Sequence, residues 1–172
     1  MVFGGIPYYL DLLNRRTGLA QNIDSLCFRR GGQLTDEFDE LYRSLFRNAE
    51  QHLSVVRALA GKKSGLTRDK LIGGTRKASG GTLSRALGEL EQCGFIRSLR
   101  PFGRKSRGTL YQLIDPFTLF YLRFMKDSGS FLSGYWQKMQ STATYASWCG
   151  HAFEIVCLNH LEQIVRALGI DG

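Results

Sequence analysis

The sequence predicts a mainly α-helical protein: a winged helix-turn-helix with a small two-stranded β-wing, flanked on both sides by helical segments. Three observations carry this. Within residues 79–93, Leu83, Ala86, Leu87, Leu90 and Cys93 recur at helical spacing as one apolar stripe, while Thr82, Ser84, Arg85, Glu89 and Gln92 fall outside it. Two short β-like runs follow, Phe95–Leu99 and Thr109–Ile114, joined by a loop rich in Arg and Gly whose composition suits a hairpin connection. The charge is concentrated in the same region. Residues 1–60 hold seven Lys/Arg against seven acids, residues 61–110 twelve against three, and residues 111–172 four against five. The net charge of +8 therefore lies wholly in the middle of the chain, which a diffuse solvated surface would not produce.

Taken in order, Gly4-Gly-Ile-Pro7 opens a helix with proline in its first turn, running to about Leu13. A second helix covers Ala20–Phe28 with Ile23, Leu26 and Cys27 inward. Thr35 offers an N-cap to a third over residues 36–46, whose acids crowd the first turn where the helix dipole favours negative charge; Phe38, Leu41 and Leu45 form its expected buried stripe. From Ala49 to Ala60 the positions Leu53, Val56, Leu59 and Ala60 make the first helix of the winged unit, ended by Gly61-Lys-Lys-Ser-Gly65. Thr67 caps a short second helix through Leu71 and Ile72, residues 73–78 make the turn, and Ser79 caps the third, or recognition, helix. That helix should stop at Cys93, because Gly94 suits the left-handed residue at a helix end.

Beyond the wing, residues 115–125 are dense in aromatics and too short to cross a bilayer, so they read as a buried helix. A loop and a short helix around Tyr135–Met139 follow. The last helix, Ala152–Leu168, places Phe153, Val156, Cys157, His160, Leu161, Ile164 and Leu168 on one side. So broad an apolar face with nothing after it implies a missing partner, and the chain is expected to be a fragment. The segments divide as 1–47, 48–114 and 115–172.

Composition is that of an ordinary globular chain, 43% hydrophobic and 22% charged over 172 residues. No apolar run of about 18 residues and no basic-then-apolar leader is present, so a cytoplasmic protein without a membrane partner is expected. Cys27, Cys93, Cys149 and Cys157 lack paired short spacings and read as free thiols, three of them on apolar helix faces. Cys149, His151, Cys157 and His160 could be drawn as a zinc site, but Cys157 and His160 share the apolar face and read as core; no metal site is expected. With His52, His151 and His160 as the only histidines, no catalytic triad can be nominated, and the chain is not expected to be an enzyme.

Several landmarks together resemble the C-terminal portion of the archaeal-type AAA+ ATPases, of the signal-transducing class. They are Gly4-Gly-Ile-Pro-Tyr-Tyr-Leu10, Asn22-Ile23, Glu37-Phe38, the run from Leu87 to Ile96, Tyr111 to Phe117 with Phe120-Tyr121, and Gly150-x-x-Phe-Glu154. The resemblance implies an ATPase lid in residues 1–47, a winged helix, and the first helix of a truncated nuclease-like domain. It implies that Gly5 and Pro7 approach a nucleotide in the full-length protein, where ATP and Mg would be the cofactors and the missing ATPase core and C-terminal domain the intramolecular partners. No Gly-x-x-x-x-Gly-Lys-Ser/Thr loop occurs here, so ATP binding by this chain is not expected. Glu154 is the match to a nuclease-like glutamate, but the acids and lysine that would complete a metal site are absent.

The expected function is double-stranded DNA binding. Thr82, Ser84 and Arg85 occupy the exposed early turns of the third helix, where base edges are met in related folds. Arg100, Arg104, Lys105 and Arg107 of the wing, with Lys62, Lys63, Arg76 and Lys77, offer phosphate contacts. The alternative is a winged helix acting as an intramolecular or protein–protein interaction module that reads the ATPase nucleotide state. Homo-oligomerisation is left open.

Overall fold

A computed structural model describes residues 2–74, 80–101, 108–128 and 134–170. Among them the chain is mainly helical with one small antiparallel sheet. The elements are α1 (Pro7–Asp11), α2 (Leu19–Ile23), α3 (Glu37–Leu45), α4 (Ala49–Leu59), β1 (Leu66–Thr67), α5 (Arg68–Gly74), α6 (Gly80–Gln92), β2 (Ile96–Leu99), β3 (Leu110–Leu113), α7 (Pro116–Phe120), α8 (Tyr135–Met139), α9 (Ala143–Asn159) and α10 (Leu161–Leu168). π-Helical turns, Asp24–Phe28 and Tyr121–Met125, continue α2 and α7.

The first helix begins as predicted, with Pro7 at its start, but ends at Asp11. In α2 and the turn after it, Ile23, Leu26 and Cys27 are buried as expected. Asn22 fixes the approach to α2: its amide nitrogen donates to the carbonyls of Asn14, Thr17 and Gly18 at 3.1–3.2 Å. The cap at Thr35 is not formed, because its hydroxyl turns back to the Arg29 carbonyl at 3.4 Å. The inward stripe of α3 also differs from the expected one: Phe38 and Tyr42 are fully buried, while Leu45 is 50% exposed. Phe38 stacks on Tyr121 with centroids 4.1 Å apart, and the Tyr42 hydroxyl finds Thr118 at 3.0 Å, so the tyrosine is the better buried residue.

The sheet has three strands in the order β1-β3-β2, one more than the sequence predicts. The extra strand, β1, pairs Leu66 with Tyr111 and Thr67 with Leu110; at two residues it is too short to leave a periodic signal. In β2 and β3, Arg97 faces Gln112 and Ser98 faces Tyr111. Gly65 enters β1 at φ +78°, and a Cβ there would lie 2.6 Å from the Tyr111 carbonyl oxygen, so only glycine admits this approach. Thr67 does cap α5, its hydroxyl accepting from the Lys70 amide at 3.5 Å.

The expected stop of α6 is found. Gly94 has φ +76°, and the Phe95 amide reaches back to the Leu90 carbonyl at 2.9 Å, which closes the helix end. Leu83, Ala86, Leu87 and Leu90 are buried; Cys93 is exposed, because the helix has ended and its side chain no longer faces the core.

The aromatic segment 116–125 is buried as predicted. Asp115 caps it, accepting from the Thr118 amide at 2.7 Å, and Phe120 and Phe124 meet Trp136 edge-on at 5.0 and 5.1 Å. Asp24 accepts from the Trp136 amide at 2.7 Å across 112 residues, holding α8 against the first segment. The closing helix starts earlier than expected, at Ala143, where Thr142 caps it, and it breaks at His160. Phe153, His160, Leu161, Ile164 and Leu168 are exposed and not core, since among the described residues no element covers that side. One continuous buried cluster runs from Val2 to Ala152 through all three segments.

Candidate nucleic-acid interface

The face of α6 is set by its packing. Leu83, Ala86, Leu87 and Leu90 are turned into the core, which leaves Thr82, Ser84 and Arg85 exposed on the first turns. Ser84 is committed within the fold: its hydroxyl donates to the Gly80 carbonyl at 3.0 Å and accepts from the Arg68 guanidinium at 3.2 Å. Arg68 also donates to the Gly80 carbonyl at 2.6 Å. It thereby joins α5 to the start of α6 and brings a cation beside the candidate reading face. Sequence reasoning left Arg68 out of the site, and only the crossing of two helices reveals it.

Thr82 and Arg85 line a groove of about 410 Å³ between α6 and the segment from Leu45 to His52. Its wall is built on His52, which is buried and stacked on Phe46 with centroids 3.9 Å apart. The Nδ1 of His52 lies 2.9 Å from the Asn48 carbonyl and Nε2 lies 2.7 Å from a Glu89 carboxylate oxygen. Both ring nitrogens lie against hydrogen-bond acceptors. Arg47 lies on the same groove and was not among the predicted contacts.

Among the described residues, the predicted cations Lys62 and Lys63 lie on a different surface from Arg85. Lys62 and Lys63 line a different groove at the opposite end of α4, sharing no lining residue with the first. Eleven helical residues, about 16 Å of rise, separate the two ends of α4. Arg100 is exposed just after β2. Arg76, Lys77, Arg104, Lys105 and Arg107, and the cap at Ser79, lie outside the described residues. Arg97, half-buried in β2, donates to Gln112 Oε1 at 2.9 and 2.6 Å; burial lowers its pKa from the ordinary value, with nearby Glu154 opposing.

Gly5 and Pro7 are exposed at the start of α1. Gly4, beside them, packs on Pro116, to which a Cβ at residue 4 would come within 3.5 Å. Among the described residues no group of three or more His, Cys, Asp or Glu could hold a metal ion, and no helix is long and apolar enough to cross a membrane. Glu154 lies 3.5 Å from His151 Nδ1. No known protein family, curated protein or solved structure matches the chain.

Proposed function

We propose that residues 48–114 form a winged helix-turn-helix that binds double-stranded DNA, with α6 as the recognition helix. The observation that carries this reading is the order of elements: α4, β1, α5, α6, β2, β3, with β3 central in the sheet, is the order of a winged helix. Its third helix presents Thr82 and Arg85 outward, supported by Arg68, and the excess of twelve cations over three acids in residues 61–110 supplies the attraction to phosphate. Arg85 is assigned to the groove of the duplex, Arg68 and Arg100 to its backbone. Arg104, Lys105 and Arg107, between β2 and β3 in the sequence, are assigned to phosphates on this reading. The titration of a labelled duplex of about 30 base pairs by fluorescence anisotropy tests it. Contact with about six phosphates gives a slope of log affinity against log salt near −5.

A second reading is favoured by the packing of the unit. Its core is continuous with both flanking segments, and Tyr42 and Thr118 meet across it. On that reading the unit is an internal docking element of an ATPase-linked regulator, with residues 1–47 in the position of a lid and Gly5 and Pro7 turned to a nucleotide site. Absence of DNA binding at low salt would favour it.

A further inference from the structure

The second groove has a chemistry that DNA binding leaves unused. About 360 Å³ in volume, it lies between the end of α4, β3, the helical segment after Asp115, and α9. Its floor is apolar: Leu59, Leu113, Leu119, Leu122 and Trp148. Its rim carries Lys62, Lys63 and Arg123, none of which forms an ion pair with a carboxylate among the described residues.

The rim is held in place before anything binds. The Lys63 ammonium donates to Ser147 Oγ at 3.2 Å, and its backbone carbonyl accepts from Gln112 Nε2 at 2.6 Å. Gln112 is itself fixed by Arg97. His151, on α9, also lines the groove. Its side chain is nine-tenths buried against the groove, and Nδ1 has no hydrogen-bond partner, the nearest acid being Glu154 at 3.5 Å.

We propose that this groove is a binding site for a small amphipathic carboxylate, its apolar body on Leu119, Leu122 and Trp148 and its carboxylate at the rim beside Lys62, Lys63 and Arg123. The volume falls at the small end of ligand cavities, which run from about 300 to 1,000 Å³, and suits a fused ring pair or a short acyl chain. An apolar floor with a few convergent polar groups is the general form of such sites. Three cations select the anion over a neutral molecule of the same shape. The proposal does not rest on α6 or Arg85, because the two grooves share no lining residue.

The test is a titration of the ¹⁵N-labelled protein with 2-naphthoate and, in parallel, with its neutral isostere 2-naphthamide, read by amide chemical shifts. Saturable shifts at residues 61–63 and 147–151, with the amide binding at least tenfold more weakly, are expected. Arg123→Gln with Lys63→Gln, both at exposed positions so that the spectrum of the variant reports an intact fold, should weaken naphthoate to the level of the amide. Equal binding of the two probes, unchanged affinity in the variant, shifts confined to Phe153, Leu161, Ile164 and Leu168, or no saturable shift at all would each overturn it.

Discussion

His52 and Glu89, 37 residues apart, lock α4 to α6 through a 2.7 Å contact at the edge of the groove that presents Arg85. Glu89 is 43% exposed on its side chain, which discounts the charge term, whereas His52 is only 4% exposed. Glu89→Gln is therefore expected to cost about 1 kcal/mol, and His52→Ala, which also empties a buried site, about 2–4 kcal/mol in urea denaturation. Equal small effects would mean that the pair does not set the position of α6.

Tyr42 and Thr118 are both fully buried, and each hydroxyl is the other's partner. Thr118→Val strands the tyrosine hydroxyl and should cost about 1–3 kcal/mol. Tyr42→Phe in the same background should add little, since the unpaired group is then gone. A double-mutant cycle with no coupling between the two positions would contradict this account of how α3 is tied to α7.

Burial raises the pKa of Asp115 from its ordinary value, with the Thr118 hydrogen bonds opposing. A carboxyl raised in the folded state keeps its proton to higher pH than in the unfolded chain. Its contribution to stability is therefore present below the unfolded value and lost as pH rises through the folded one. The stability of the wild type relative to Asp115→Asn should accordingly be greater near pH 3 than at pH 7. Urea midpoints at the two values check it; a difference of the opposite sign sinks the assignment.

Burial, reinforced by the charge of Asp24, pushes the Cys27 thiol up to about 12, while Cys93 is exposed just after α6. Since the thiolate is the nucleophile, a pKa near 12 leaves about one Cys27 thiol in ten thousand reactive at pH 8. Disulfide-exchange labelling of the native protein should modify Cys93 first and Cys27 only on unfolding. Peptide mass mapping of the labelled chain reads the order directly.

Where a signal was periodic and local, the sequence was a sound guide. The stripe of α6 from Leu83 to Leu90, its glycine stop and the proline start of α1 follow from spacing and caps. What it could not show depends on contacts distant in the chain. Tyr42 is not in the expected stripe of α3 and is buried through its contact with Thr118, and His52 is held by Glu89 and Phe46, which lie far from it in sequence or on another element. Two-residue β1 leaves no pattern, and the Thr35 hydroxyl donates to the Arg29 carbonyl where a cap would have accepted from an amide of the first turn of α3. The apolar side of α10, expected to face a missing partner, is exposed, while His160, read as core, is exposed with it. The candidate site was legible as charge density but not as geometry, because Lys62 and Lys63 sit close to α6 in charge pattern and a full length of α4 away in space.

The most direct test of DNA recognition by α6 compares two variants in the duplex titration at fixed salt. Arg85→Glu reverses charge on the proposed reading face, and Lys62→Glu with Lys63→Glu reverses twice as much charge at the other groove. If α6 reads the duplex, the single change at Arg85 weakens binding by at least tenfold and exceeds the effect of the double change. If the double variant loses more, or neither loses anything, binding is governed by overall charge or is absent, and α6 is not the recognition helix.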